Sequence, residues 1–497
     1  MSDFGLYIAM TGLFAQKKSI DVTAHNIANA STPGYTRQRA ELCTKEPWPT
    51  PGLNMPGGAG QLGTGVQVKT IKRMRDQFLD PQIRQQALLQ GEWEQRNDAL
   101  SQVETIFMEL SDNGLNSVLD KFWDDWNQLS KFPDSLPVRT TVVEASVTLA
   151  DTIRHTYSQL QTLQSDLNEG IGIKVDHANS LLTQIADLNK QIQTVSVSGL
   201  SPNDLLDRID TLLDELNNTV SAKVSIQSDH TVKVMIGGMN AVDGFRSTSL
   251  TAVADDQGMY QVGIDLGRGN SAILEWSDLG GELQGLAQAR DVDAAGYMKS
   301  LDQLAVALST QVNEAHMKGY GLEGETDVPF FVGDGGEVTY AEDPNLVSGA
   351  SSIYVNSYIN ANPQRIAAAG GLSDTGEKPA KPAPGDAENA LLIYQLRDKE
   401  IPIKDAAGVV VSSGTINNFY KSMISKLGVA ADQAGNMVKN QEALVAQLNN
   451  RKEAISGVSL DEEMTNMIQY QSAYMAAAKL VNVIDEMTRI LINLGKE

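Results

Sequence analysis

A chain of 497 residues with 41% hydrophobic and only 6% aromatic side chains is long enough to bury sizeable cores and is expected to form more than one domain. A single cysteine, Cys43, excludes an intramolecular disulfide framework, and five scattered histidines show no metal-ligand spacing; a formal charge of −23 argues against general nucleic-acid binding. No run of about 18 apolar residues occurs, and Met-Ser-Asp-Phe is not a basic start followed by an apolar stretch, so neither a membrane span nor a cleavable signal is expected.

From Leu6, the apolar positions Leu6, Met10, Leu13, Ile20, Ala24 and Ile27 recur at spacings of three and four, with Lys17 interrupting the stripe, which predicts a helix with one narrow sticky face. It should stop near Asn29. Thr32 precedes a proline and is pushed out of the helical region, while Pro33-Gly34 suits the centre of a type II turn that delivers Tyr35. Residues 46 to 65 are too rich in Pro and Gly for regular structure, and Val66, Val68 and Thr70 alternate as in a short strand.

Helical periodicity then runs from about Pro81 to the Pro133 region, from Val138 to Glu169, and on through Leu181, Ile185, Leu188 and Ile192. In Ser201-Pro202-Asn203-Asp204 a capping serine, a first-turn proline and a carboxylate predict a further helix to about Asn217. The period switches to two at Val224-Ile226, Val232-Ile236, Tyr260-Ile264 and Ile273-Leu274, an inserted β module. Helix returns from Glu282 to about Lys318, followed by a mixed Gly-rich region that includes the Pro/Lys stretch Gly376 to Gly385. From Asn417 to the end the chain reads as helix, broken near Ser456-Gly457. In its last part Leu460, Met464, Met467, Tyr474, Ala478, Val481 and Leu491 keep heptad spacing, with Ile484, Met487 and Leu494 widening the face.

Both ends of the chain therefore carry apolar stripes that need partners, either each other or copies in an assembly. The expected fold class is α+β and multidomain: a long helical rod, coiled-coil-like paired terminal helices, and inserted β-rich outer domains. The expected units are 1–45 with 456–497 as the terminal assembly domain; 46–220 with 280–325 and 415–455 as the helical rod; 221–279 as an inserted β domain; and 326–414 as a second, mixed β-rich excursion. Charge follows this division. Residues 1 to 75 carry nine Lys/Arg against four Asp/Glu and residues 421 to 497 carry eight against nine, so the acidic surplus lies in the middle.

Several motifs resemble one family. Ile27-Ala28-Asn29-Ala30-Ser31-Thr32-Pro33-Gly34-Tyr35-Thr36-Arg37-Gln38 resembles the N-terminal signature of flagellar rod, hook and hook-associated proteins. Gly63-Thr64-Gly65-Val66 with Ile71, Arg73, Asp76, Phe78 and Leu79, then Gly280-Gly281-Glu282-Leu283 with Arg290-Asp291, and finally Ser456 to Met464 are similar, in order, to blocks of hook-associated protein 1. Pro-Gly-Tyr-Thr-Arg-Gln and the long helical stretch 81 to 217 separate the chain from rod and hook proteins; His25 stands where the family commonly has Asn.

The resemblance implies a structural, non-enzymatic subunit at the junction of hook and filament, exported unfolded through the flagellar channel, with paired termini lining a tube. The implied partners are copies of the chain in a tubular ring, hook protein, a neighbouring hook-associated protein, and an export chaperone at the C-terminal helix. No nucleic acid, membrane, cofactor or metal is implied. The expected assembly residues are Leu6, Met10, Leu13, Ile20, Ile27, Asn29, Pro33, Gly34 and Tyr35, with Leu460, Met464, Met467, Tyr474, Val481, Ile484, Met487 and Leu491. Another flagellar axial protein, of hook or distal rod, is the alternative; a secreted glycan-processing enzyme or an adhesin are rivals from other classes.

The chemical readings are bland by comparison. Trp123-Asp124-Asp125-Trp126 suggests a sugar platform with paired carboxylates, yet neighbouring residues on a helix point about 100° apart and core packing is preferred. Asp461-Glu462-Glu463 reads as carboxylates at the positive end of a helix dipole rather than metal ligands. Lys69, Lys72, Arg73 and Arg75 read as a solvated or subunit-facing edge, and Asp334 with Glu337 as a plain turn rather than a calcium loop.

Overall fold

The computed structural model describes residues 2–47, 63–107, 114–199, 201–333, 335–341, 343–372, 382–383, 385–404 and 410–494. Most of the 46 to 65 loop, Asp334 and most of Gly376 to Gly385 lie outside the described residues.

The N-terminal helix α1 spans Ser2–Ala28 and leads through the Pro33-Gly34 turn into strand β1 (Gln38–Thr44), which pairs antiparallel with β2 (Val66–Arg73). Helix α2 (Leu79–Phe107) and helix α3 (Leu115–Lys131) follow. Helix α4 (Leu136–Val197) is one unbroken rod of 62 residues, about 93 Å long. Pro137 sits in its first turn, where the missing N–H costs nothing. Its buried side chains Val142, Leu149, Ile153, Leu160, Leu163, Leu167, Ile171, Val175, Leu182, Ile185 and Ile192 form a continuous seam against which the neighbouring helices and the β module pack.

Helix α5 (Asn203–Thr219) differs from the sequence expectation at its start. Pro202 occupies the N-cap, and Ser201 does not cap the helix; its hydroxyl lies 3.2 Å from that of Thr70 on β2. The β module comprises a four-stranded meander, β3 (Ala222–Ile226), β4 (Val232–Ile236), β5 (Met239–Asp243) and β6 (Arg246–Ser247), and a three-stranded one, β7 (Leu250–Ala254), β8 (Tyr260–Asp265) and β9 (Ser271–Ile273). Three asparagines of α4 fasten it to the rod. Asn179 accepts the Leu250 N–H at 2.7 Å and donates to the Leu250 carbonyl at 2.9 Å, imitating a neighbouring strand. Asn189 does the same to Val232, and Asn168 accepts from the Tyr260 N–H. Buried edge groups that would otherwise lose water are thereby satisfied.

The chain returns through α6 (Trp276–Leu279), α7 (Gly281–Gln288), a π-helical turn at Ala289–Ala294 and α8 (Ala295–His316). The second excursion holds β10 (Phe331–Val332) paired with β11 (Tyr354–Val355), the short α9 (Ser357–Ala361), α10 (Glu388–Gln395), and the hairpin of β12 (Ile401–Lys404) and β13 (Val410–Gly414). Helix α11 (Ile416–Ser456) then packs along α2, and α12 (Leu460–Leu494) packs on α1. The fold is thus multidomain α+β, with long terminal helices and several small antiparallel sheets between them.

Phe122, Trp123 and Trp126 are fully buried, packed with Phe330, Phe331 and His316 where the excursion meets the rod. The Trp123 indole donates to Asn417 at 3.1 Å, so neither tryptophan is open to a sugar ring.

Candidate assembly interface

The terminal helices run antiparallel: Asn26 near the end of α1 bonds Glu463 at the start of α12, and a Cβ on Gly5 would lie 3.5 Å from Ile484 Cδ1. The face of α1 buried within the chain consists of small and polar residues, namely Ala9, Thr11, Ala15, Ser19, Val22, Thr23 and Asn26. At about 100° per residue this face lies well away from the stripe marked by the sequence. Met10 is exposed, and Leu6, Leu13, Ile20 and Ile27 are only partly covered. On α12, Met467, Tyr474, Val481 and Ile484 are partly covered, while Leu460, Met464 and Met487 are exposed. Leu491 lies in α12, with its side chain outside the described residues.

The two helices meet at a polar node that pattern reading missed. The Asn26 carboxamide uses every position it has: its oxygen accepts from the Tyr35 hydroxyl at 2.8 Å and the Gln38 N–H at 3.0 Å, and its nitrogen donates to the Gln38 carbonyl and to Glu463 Oε2, each at 2.9 Å. Arg37 donates to Glu463 Oε1 and Glu462 Oε2, both at 2.8 Å, and its own N–H reaches the Ser456 carbonyl at 2.9 Å. These acidic residues therefore do more than oppose the helix dipole. They tie the signature loop to the break between α11 and α12. Burial, followed by the carboxylates of Asp204, Asp207 and Glu463, pushes the Tyr35 phenol above its ordinary range. The ring of His25 stands edge-on to Tyr35, with Nδ1 3.1 Å from its hydroxyl.

The Pro33-Gly34 turn closes with the Tyr35 N–H donating to the Thr32 carbonyl at 3.2 Å, and Gly34 has φ +78°. Asn29 closes the end of α1, its amide donating to the His25 carbonyl at 3.0 Å. Pro33 and Gly34 are exposed and Tyr35 partly buried.

Beyond the turn, Thr36 N–H donates to Asp207 at 3.0 Å, and Gln38 bonds both Asp204 and Asn203 at the start of α5. A Cβ on Gly34 would lie 2.5 Å from Thr211 Oγ1 of α5. Gly34→Val therefore combines a left-handed backbone that L side chains avoid, costing on the order of 1 kcal/mol, with a direct clash. The expected result is normal thermal unfolding of the rod and β modules with loss of filament growth in a motility assay; wild-type motility would count against the turn.

The four basic residues at 69 to 75 divide. Arg73 and Arg75 turn inward, against the reading of an exposed edge, while Lys69 and Lys72 remain exposed. Asp207, Asp210 and Asp214 share one face of α5. Arg73 reaches Asp207 and Asp210 at 2.9 and 2.7 Å, Arg75 reaches Asp210 and Asp80, each at 2.6 Å, and Arg84 reaches Asp214 at 2.7 Å and Asp210 at 3.3 Å. Lys452 of α11 adds a contact to Asp214 at 3.3 Å. This cluster joins the β1–β2 ribbon to α2, α5 and α11 of the rod.

Sequence comparison gives the arrangement its context. The chain is 34% identical to flagellar hook-associated protein 1 of Bacillus subtilis over 98% of its own length and 97% of that protein. The chain belongs to the flagellar hook-associated protein 1 family. Its relative from Salmonella typhimurium is 26% identical, with 98% and 99% covered. Family models for the flagellar hook-associated protein FlgK helical domain, the flagella basal body rod protein, and the flagellar basal body rod FlgEFG protein C-terminal match residues 100–331, 6–36 and 454–494. The last two cover the helices joined at the Asn26 node. The flagellar hook junction protein FlgK from Burkholderia pseudomallei shares the fold, with a TM-score of 0.60 at 17% identity over 75% of this chain and all of that one. Family membership makes the chain a structural protein of the bacterial flagellum. No described helix is long and apolar enough to cross a membrane.

Proposed function

We propose that the chain is a non-enzymatic subunit that forms the junction between hook and filament, assembling with copies of itself into a tubular ring through its terminal helices. The observation that carries this reading is the antiparallel α1–α12 pair, its helices joined at the Asn26 node yet leaving apolar rows exposed on both. The full-length kinship to hook-associated protein 1 and the junction role named for the Burkholderia neighbour support it. Hook protein lies on one side of the ring and another hook-associated protein on the other. Deleting the coding sequence tests this: bare hooks with filament protein shed into the medium are expected, and filaments of normal length on the deletion strain would overturn it.

Export proceeds through the flagellar channel, with a chaperone holding α12 beforehand. The motive is physical. Until α1 covers it, the face bearing Met467, Tyr474, Val481 and Ile484 is an amphipathic surface suited to a groove. Val481→Asp with Ile484→Asp is expected to weaken chaperone binding by several kcal/mol, because each buries a charge in an apolar contact, and to leave the rod folded. Calorimetric titration showing unchanged affinity would place the chaperone elsewhere.

A further inference from the structure

A trough runs between the β1–β2 ribbon and α12. It consists of two adjoining cavities of about 540 and 580 Å³ that share Arg39, Ala40, Met74, Asn466 and Tyr470. On its ribbon wall Arg39 and Lys72 stand directly opposite each other across the strand pair. Like charges in that position destabilise a ribbon unless an anion sits between them. Both are exposed, and among the described residues neither has an ion pair or a side-chain hydrogen bond. Arg37, just before β1, is already held by Glu462 and Glu463. Glu41, two residues from Arg39 on the same face of β1, also lines the trough but pairs with neither cation, so the ribbon wall there carries two cations against one carboxylate. The trough therefore pairs a partly apolar lining, Met74 and Tyr470, with a ribbon wall that keeps one positive charge in excess beside Glu41, with Asp461 at the far end of the adjoining cavity, and fits an apolar helical row carrying one carboxylate.

The chain carries such a row. On the side of α12 turned away from α1, Ile468, Met475, Val483 and Ile490 are exposed. At about 100° per residue, Glu486 falls on the same line. Glu486 is exposed and without an ion-pair partner among the described residues, whereas its neighbour Asp485 pairs with Arg489. Within one chain Glu486 cannot reach the trough: it lies sixteen residues beyond Tyr470 on the same straight helix, about 24 Å along the axis.

We propose that Arg39 and Lys72 receive Glu486 from α12 of a second copy, with the Val483–Ile490 row of that copy resting on Met74 and Tyr470. The contact rests on the self-assembly reading and deepens it. Neighbouring copies with parallel α12 helices are then offset by about 24 Å along the helix axis, so the site is complete only in an assembly.

The test is a charge swap in the full-length chain, read by sedimentation. Arg39→Glu with Lys72→Glu, and separately Glu486→Lys, are each expected to raise the protein concentration needed for assembly at least tenfold, and the triple variant to restore most of it. Circular dichroism melts matching the wild type show that each variant is folded. In a Cys43→Ser background, Lys72→Cys with Glu486→Cys should crosslink between copies under oxidation. Assembly of the double variant at wild-type concentration, or a triple variant no better than the double with no crosslink, would overturn the contact. A double variant that still self-assembles but no longer binds hook protein would assign the trough to that neighbour and likewise overturn the second copy as occupant. All these readouts are made without cells, so they fail or succeed independently of whether the chain restores filaments to a deletion strain.

Discussion

Asp210→Ala is expected to destabilise the joint between the terminal module and the rod by about 3–5 kcal/mol, the usual cost of removing one partner from a buried ion cluster. Asp210 is mostly buried and accepts from Arg73, Arg75 and Arg84, which come from β2, the segment after it, and α2. Without it, Arg73 keeps Asp207, Arg75 keeps Asp80 and Arg84 keeps Asp214, but three guanidinium groups then crowd a site that has lost its central negative charge. Burial by itself would make the Arg75 guanidinium easier to deprotonate; the carboxylates of Asp80, Asp210 and Asp214 more than offset this, so the cation depends on them. Hydrogen exchange resolved by segment should show β2 and α5 opening first while the β module stays protected. A loss below about 1 kcal/mol would mean that the cluster behaves as a solvated surface network.

The excursion that packs on Trp126 is expected to loosen in mild acid, through His316. This imidazole is completely buried, with Nδ1 2.7 Å from the Val328 carbonyl and Nε2 accepting the Ala367 N–H at 2.9 Å. The arrangement requires the neutral ring, since a protonated Nε2 has no lone pair to offer Ala367. Burial, reinforced by the cation of Arg139, lowers its pKa from 6.5 to about 4, although the bond to Val328 pulls the other way. Because the folded value lies below the unfolded one, the unfolded chain binds the extra proton between these limits. The stabilisation is fully present above pH 6.5 and is lost progressively as pH falls toward 4. A shift of this size corresponds to about 3 kcal/mol.

Arg139 faces the same segment, donating to the Pro133, Gln364 and Ile366 carbonyls, and Asn389 holds the Ala367 carbonyl at 2.7 Å. Loss of His316 should therefore spread along residues 363–369. Urea midpoints at pH 7 and pH 4.5 should differ much less in His316→Gln than in the wild type. Equal pH dependence in both would remove His316 as the cause.

Much of the architecture was legible because helical period and turn chemistry are local properties. Val142 to Ile192 repeat at three and four, Pro137 marks the start of α4, and Pro33-Gly34 sets a turn whose positive φ only glycine adopts without strain. Short strands without strong alternation, β1 and β5 to β7, were not legible, because they exist by virtue of a partner: β1 pairs with β2, and β7 is clamped by Asn179. The missed polar residues share that reason. Nothing in their spacing distinguishes Asn26, Asn189, Asp210 or His316 from any other polar residue on a helix, since their roles arise from groups outside their own helix, as Asn189 with Val232, 43 positions on, and Asn26 with Glu463, 437 positions on, show.

By itself, the sequence determined the order of helical and β segments, the turn after α1 and the apolar rows at both ends. Each depends on residues within a few turns of one another. Only the tertiary structure decided which face of α1 is covered by its own chain, that Arg73 and Arg75 turn inward while Arg39 and Lys72 do not, and that Glu463 anchors the signature loop. Those outcomes depend on which distant groups are brought within hydrogen-bond range, and on the cost of burying a charge without one.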